Sequence, residues 1–519
     1  MTTLERHLGS SADGRAGSGP VPHRKTTLRD NLESIAIAIL LVLALRQMVM
    51  EAFKIPTGSM APTLLGEHKE VRCPNCGWVF RVGNNKPGPR GEVLCQNCLY
   101  RWQGAGTSDI VFRKPAWLWN AGRTEGKEIS GRDAANRVDR WGSRIFVNKF
   151  IYQLRKPRRW EVIVFMYPYY RVTCQEPGCR WEGNIRSTAK LECPDCGSTN
   201  LKIERKNFVK RLIGLPGEEI VIGNGDIYID GKIARKPPAV QKRMWQHVFD
   251  SRFWPGKKEE VFRVWDFGLD EGFVSVDKED GSLRVAALDA ETPVEATFGH
   301  AIKDYYSYNG DQNEEPGGGG KSGKHEVGDC RIEAELTVEE ARASPSAGVV
   351  LRIVEDEHDF SFFVPAGQAG RAVLSDNGRP VAEAPVEPLR PGKKETLALE
   401  NYDDRVVCTI GGTTVVEHEY TGNPTAAMPR KSVSLGVAGA RLVFRRVRIQ
   451  RDVYYTPGEG PRTGYQLDKN SYLVLGDNSP DSSDSRAWPE PGVPAENLIG
   501  EAFAIFWPIE DLGLLTHGF

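Results

Sequence analysis

Two rhythms of apolar residues run through this chain. The first is continuous: Ser34 to Phe53 reads SIAIAILLVLALRQMVMEAF, apolar from Ile35 to Leu45 and broken at Arg46 and Gln47. As a helix it extends about 30 Å, roughly one hydrocarbon thickness. It predicts one transmembrane anchor over 33–53, with Arg46 reaching for the outer interface along its aliphatic stem. A secretory signal or a buried core helix would also be apolar, but no small-x-small cleavage pattern follows directly.

The second rhythm is alternation. RIFVNKFIYQL (144–154) and RRWEVIVFMYP (158–168) read as short strands rich in β-branched and aromatic residues, the latter closed by Pro168. EIVIGNGDIYIDGK (219–232) alternates on both sides of Gly223-Asn224-Gly225, which is a hairpin signal. From about 240 to 455 strands recur at short spacing, interrupted by Pro316 and four glycines: CRIEAELTV, AGVVLRIV, FSFFV, RVVCTIGGTTVV and RLVFRRVRI. That density of alternating strands implies a β-sandwich.

Charge sets the orientation of the anchor. Arg6, Arg15, Arg24, Lys25 and Arg29 precede it against Glu5, Asp13 and Asp30, an excess that keeps the N-terminus in the cytoplasm and sends the remainder across. Residues 1–32, with GSSADGRAGSGP, read as disordered. The 519 residues are enough for several domains, and a net charge of -1 gives no reason to expect nucleic acid as a partner. The nine histidines are scattered, with no His-Glu-x-x-His signature, so the sequence does not point to a metal-bound water as nucleophile.

Cysteine is concentrated in two quartets: Cys73, Cys76, Cys95 and Cys98 (CPNC, CQNC), then Cys174, Cys179, Cys193 and Cys196 (CQEPGC, CPDC). Paired knuckles of this kind present two sulfurs each and suit a tetrahedral four-thiolate zinc site, giving two structural zinc ions in ribbons at 71–101 and 172–198. Disulfides are the alternative, which an extracytoplasmic location permits. Cys330 and Cys408 stand apart and read as core residues.

One stretch carries candidate chemistry. FKIPTGSMAPTLLG places Ser59 between Gly58 and Met60 just as the chain leaves the apolar run. A serine hydroxyl needs a neighbouring base. Lys210, within NFVKRLIG, can serve if burial lowers its pKa by roughly three units, about 4 kcal/mol, and Phe208, Val209, Leu212 and Ile213 flank it with apolar cover.

PTGSMAPTL after a membrane span, RIFVNKF, WEVIVF, FVKRLIGLPGE and GDNSPDSSDSR, in this order, resemble the motifs of type I signal peptidases. The resemblance covers 33–66, 139–170, 205–235 and 456–511. It implies Ser59 as nucleophile, Lys210 as general base, and Thr57 with the Ser59 backbone N–H as the oxyanion hole. It implies that Ser482 orients the lysine, that Asp484 and Arg486 pair to hold the last loop, and that Gly476, Asp477 and Asn478 form its turn. Met60 would be structural or line the site. The chain departs from the pattern at Ser479-Pro480, where arginine is usual after Gly-Asp-Asn, and at Phe208, where tyrosine is common; the two cysteine-rich inserts replace short loops.

The fold class expected is therefore mainly β: a signal-peptidase-type catalytic core (54–239 and 456–519) after one N-terminal transmembrane helix, carrying zinc-ribbon-like inserts. The sandwich of 240–455 resembles the concanavalin/laminin-G jelly roll. The resemblance implies a single-pass protein of the cytoplasmic membrane, its catalytic part on the far side. It would remove signal peptides from exported preproteins by cutting after small residues in an Ala-x-Ala-like pattern. Expected partners are preproteins, the lipid bilayer, the export translocon and, through the sandwich, an envelope polysaccharide or protein; the chemistry needs no cofactor. Two rivals make different demands. A self-cleaving repressor-type protease would carry a helix-turn-helix before the serine, where this chain has its apolar run. A non-catalytic binding protein would have no reason to retain Ser59, Lys210 and Ser482 together.

Overall fold

The computed structural model describes residues 31–38, 50–83, 92–103, 141–185, 191–254, 264–268, 273–277, 279–288, 293–305, 323–422, 430–458 and 464–515. Residues 31–38 are helical, and among the described residues no helix is long and apolar enough to cross a membrane. Most of the expected disordered segment 1–32, and 39–49 of the expected anchor, lie outside the described residues. The far end of that anchor differs from expectation: Met50–Lys54 is a β-strand. It alternates exposed and partly buried positions and neighbours Arg144–Asn148 in a sheet, so backbone pairing outweighs the helical reading there.

That sheet runs, in order, through Met50–Lys54, Arg144–Asn148, Leu498–Trp507, Val162–Met166, Asn207–Gly214, Ser471–Leu475 and Val493–Pro494. Val162–Met166 is buried along almost its whole length because both of its faces are covered. Val162 and Val164 pack with Ile55, Met60, Leu64, Ile145 and Val147, whereas Ile163 and Phe165 pack with Leu212, Val474 and Trp488. Alternation along the strand thus feeds two separate apolar clusters. Asn207–Gly214 pairs antiparallel with Val162–Met166, setting Lys210 opposite Ile163, and with Ser471–Leu475 on its other side.

The expected strand over RIFVNKFIYQL is only half strand. Arg144–Asn148 is extended, but Ile151–Leu154 forms one helical turn. The Asn148 side-chain oxygen accepts from the backbone N–H groups of Phe150 and Ile151, and such a local bond turns the chain out of the sheet. The hairpin at Asn224-Gly225 forms as read: Glu219–Gly223 pairs with Asp226–Ile229, Gly223 facing Asp226. Asn224 at φ 52° and Gly225 at φ 96° give the two-residue turn whose twist matches its strands.

Beyond Met244 the chain builds two antiparallel sheets. One contains Gln246–Asp250, Leu283–Ala286, Ala440–Arg451, Cys330–Ala341, Lys394–Tyr402, Arg405–Ile410 and Thr413–Glu419; the other contains Val294–Phe298, Lys431–Ala438, Gly348–Glu355, His358–Pro365, Gly370–Asp376 and Arg379–Val386. Their inner faces share one apolar cluster that includes Phe249, Leu351, Phe360, Phe362 and Phe444. Val240 and Met244 before it, and Val453 and Tyr455 after it, pack instead with Ile213, Ile220 and Leu473 of the first part of the molecule.

Candidate active site

Ser59 lies on a single 3-10 turn, Gly58–Met60, held from both sides. Before it, the Ile55 N–H donates to the Ser143 carbonyl at 2.9 Å; after it, Leu64 N–H donates to Met60 carbonyl at 2.8 Å. Met60 is buried among Ile55, Leu64 and Val164, which pins the turn to the sheet and leaves Ser59 half-buried at its rim. Thr57 precedes the turn in extended backbone, is exposed, and makes no side-chain cap to it.

Lys210 Nζ lies 2.6 Å from Ser59 Oγ and 3.0 Å from Ser482 Oγ. Its side chain is 3% exposed. Burial pushes its pKa down to about 8 against the attraction of Asp484, which pulls the other way, while Arg486 lowers it further. The residues flanking Lys210 in sequence do not form one apolar jacket. Phe208 and Leu212 join the cluster of Ile163 and Phe165, Val209 joins that of Met60, and Ile213 joins a third.

The segment after Ser471–Leu475 closes over the pair. Gly476 N–H donates to Asp484 Oδ2 at 2.9 Å, Asn478 N–H to the Ser59 carbonyl at 3.1 Å, and Asn478 Nδ2 to the Gly58 carbonyl at 3.2 Å. A Cβ at Gly476 would fall 2.2 Å from Ser482 Oγ and 2.4 Å from the Ser59 carbonyl oxygen, so only glycine admits this approach. Arg486 grips Asp484 through Nε at 2.9 Å and Nη2 at 2.7 Å, both side chains buried. Burial pushes the Asp484 carboxyl up, but the Arg486 charge and hydrogen bonds prevail and hold it below its ordinary value. Ser479, standing where the resemblance leads one to expect arginine, accepts from Arg486 Nη1 at 2.8 Å. Phe208, in place of the common tyrosine, stacks on Tyr167 at 4.6 Å.

Sequence reasoning missed a second buried ion pair. Arg211 donates to both carboxylate oxygens of Asp477, through Nε at 2.7 Å and Nη2 at 2.6 Å, and also to the Trp160 carbonyl and Thr63 Oγ1. Asp477 reads in sequence as a turn residue, and Arg211 as a strand residue next to a lysine. Their joint signal is that charged side chains at both positions flank segments otherwise apolar.

Both cysteine quartets are brought together. Cys73 and Cys98, Cys76 and Cys95, Cys174 and Cys196, and Cys179 and Cys193 each lie with sulfurs 3.6 Å apart, and within each quartet all four sulfurs fall within 4.8 Å of one another. A disulfide needs about 2.05 Å, whereas thiolates about 2.3 Å from a common tetrahedral ion sit about 3.8 Å apart. The two quartets therefore fit a metal ion. Cys330 and Cys408 are buried in the sandwich, as expected.

The sequence profile of the family described as "Signal peptidase, peptidase S26" matches residues 130–280 and 404–507, which include Lys210 and the Gly476–Arg486 segment. The protein named "Probable signal peptidase I-2" of Synechocystis sp. is 53% identical over 47 residues, 9% of this chain and 21% of that protein. "Signal peptidase I" of Leptolyngbya laminosa is 34% identical over 79 residues, 15% of this chain and 38% of that protein. Each match thus spans well under half of the relative's length. Among solved structures, the carbohydrate-binding module CBM66 from Bacillus subtilis matches 36% of this chain and 92% of its own at 13% identity, with a TM-score of 0.23, too low to carry an argument. With the profile match falling on Lys210 and its closing segment, and both curated relatives named as signal peptidases I, the chain is similar over those residues to the signal peptidase family, peptidase S26.

Proposed function

We propose that this protein is a membrane-associated serine endopeptidase that cuts signal peptides from exported preproteins, with Ser59 as nucleophile and Lys210 as general base. The observation that carries the reading is the 2.6 Å approach of a buried lysine to a half-buried serine hydroxyl. Neutral Lys210 takes the Ser59 proton as Oγ attacks the scissile carbonyl. The Ser59 N–H and the Thr57 hydroxyl, the latter not spent on capping, receive the oxyanion. The protonated lysine then returns its proton to the leaving amine, and water admitted to the acyl-enzyme is activated by the same Nζ. Ser482 orients Nζ, and the Asp484–Arg486 pair keeps Ser482 in register from below. A cut after small residues, and attachment by the apolar run 33–53, belong to the same proposal.

We also read each cysteine quartet as a structural zinc site, supported by the sulfur spacing. Zinc would supply cross-linking of the knuckle turns and takes no part in the cleavage. The test of the peptidase reading is cleavage of a preprotein in detergent, with the new N-terminus sequenced. A single cut after a small residue, lost in Ser59→Ala, supports it; absence of cleavage by the folded wild-type protein overturns it.

A further inference from the structure

The first cysteine quartet touches the sandwich through a side chain that the cleavage chemistry does not use. Asn97 sits inside the second knuckle, between Cys95 and Cys98, and is fully buried at 0% exposure. Its Oδ1 accepts from the Asp250 backbone N–H at 2.7 Å and lies 3.0 Å from His247 Nε2; its Nδ2 donates to the Phe253 carbonyl at 2.8 Å. All three partners belong to Gln246–Asp250, the strand paired with Ala440–Arg451, or to the turn after it. Trp78, just past the first knuckle, stacks on the His247 ring at 4.1 Å.

The same quartet is tied to the serine turn. Ser59 and Cys73 are joined by the short path through Gly66 and the strand His68–Arg72, which ends at the first knuckle. Along it the Leu65 N–H donates to Ser143 Oγ at 3.0 Å, Glu67 N–H to the Pro56 carbonyl at 3.2 Å, and His68 Nδ1 bonds the Gly66 carbonyl at 2.8 Å. Across the quartet, Asn75 N–H and Nδ2 approach Cys73 Sγ and Cys98 Sγ at 3.4 and 3.6 Å. Bonds of this kind orient thiolates around an ion. The second quartet is built otherwise: Cys196 is exposed, and the described hydrogen bonds of its turns stay within its own ribbon, such as Gln175 N–H to the Asn200 carbonyl at 2.9 Å.

We propose that the first quartet is a metal-dependent clamp: an ion held by Cys73, Cys76, Cys95 and Cys98 fixes the Asn97 turn, which docks the Gln246–Asp250 edge of the sandwich onto the segment leading from Ser59. This rests on the zinc reading of that quartet. Without the ion, the four sulfurs lose their common ligand and the knuckle turn keeps bonds such as Leu99 N–H to the Cys95 carbonyl and Asn75 Nδ2 to Cys98 Sγ, and bonds of that kind alone rarely order so short a turn.

The test uses the full chain in detergent, with metal content per chain and amide hydrogen exchange over 246–253 as readouts. Wild type is expected to carry two zinc ions and to protect 246–253. Cys98→Ser should lose one ion and speed exchange there about tenfold or more. Asn97→Ala should keep both ions and speed exchange in the same stretch, while Cys193→Ser should lose one ion and leave it protected. Should Cys98→Ser fail to fold, stripping Cys193→Ser, whose remaining ion lies in the first quartet, with a strong zinc chelator gives the same comparison. An ion lost from the first quartet with 246–253 still protected overturns the clamp and leaves the zinc reading standing. Wild type with no metal there overturns the zinc reading itself, and the clamp with it.

Discussion

The sheet that carries Lys210 and the sandwich that follows it solve burial differently. In the sandwich, one apolar cluster runs unbroken from Phe249 through Leu351 and Phe360 to Phe444. Around Lys210 the apolar residues fall into three smaller clusters, with Lys210, Arg211, Asp477, Asp484 and Arg486 buried between them. Buried charge is costly unless paired, and a well-packed apolar replacement is often at least as stable. A chain that keeps two ion pairs and a lysine in such a place is therefore organised around the geometry of those groups, whereas the sandwich keeps one continuous apolar cluster and places its buried charges, such as Asp403, Arg451 and Asp452, outside it. Substitutions in the first region should act on cleavage, and those in the second on stability.

The largest effect expected is loss of the dyad. Ser59→Ala and Lys210→Ala should each lower cleavage roughly 10⁴-fold or more while the melting transition stays cooperative; full activity in Lys210→Ala would end the distinction. Next comes pH. With the Lys210 pKa near 8, the neutral base is scarce below it, so cleavage should rise about tenfold per unit toward that value and level off above about 9. Stability carries the same signature: between about 8 and 10.5 the unfolded chain holds a proton on this lysine that the folded one lacks, so stability rises with pH across that window. Denaturant melts at both ends of it, for wild type and Lys210→Met, read this out; the variant should lose the rise.

Asp484→Asn strands a buried Arg486 and is expected to cost about 3–5 kcal/mol and to lower kcat more than KM changes, measured by denaturation and steady-state cleavage. Gly476→Ala drives a methyl group into Ser482 and the Ser59 carbonyl, and should reduce kcat about tenfold with a smaller loss of stability. The smallest effect on cleavage belongs to Phe444→Ala in the sandwich. It should cost about 3–5 kcal/mol in the unfolding of that part yet leave cleavage at 25 °C within about twofold. A large fall in kcat from this variant, in protein shown to be folded, would mean that the two regions are coupled, through contacts such as Lys236 with Asp403 and Asn224 with Asp356.

Much of this was legible in the residue order. Ser59, Lys210 and Ser482 stand in segments whose order and composition announced them, and the structure brings their polar atoms to within 3.0 Å of Nζ. The cysteine knuckles and the Asn224-Gly225 hairpin were equally plain, because each is a local conformation set by adjacent residues. Arg211 with Asp477, and Asn97 with Asp250, were not, because each partner lies far along the chain and reads separately as an ordinary strand or turn residue. Residues 50–53 and 151–154 were misread for a related reason: an apolar or alternating run states that a segment will be buried but not which neighbour it will pair with.

Local chemistry, then, settled the strands outside 50–53 and 151–154, the Asn224-Gly225 turn and which eight sulfurs form two sets of four. The proton affinity of Lys210 was settled elsewhere. Its sequence neighbours divide among three apolar clusters, and its charge is weighed against Asp484, Arg486, Asp481 and Asp477, which all come from the closing segment near the C-terminus. Desolvation and Coulomb forces act through space over a few ångströms, so a proton affinity is decided by whatever folding brings near and not by what lies beside it in the chain.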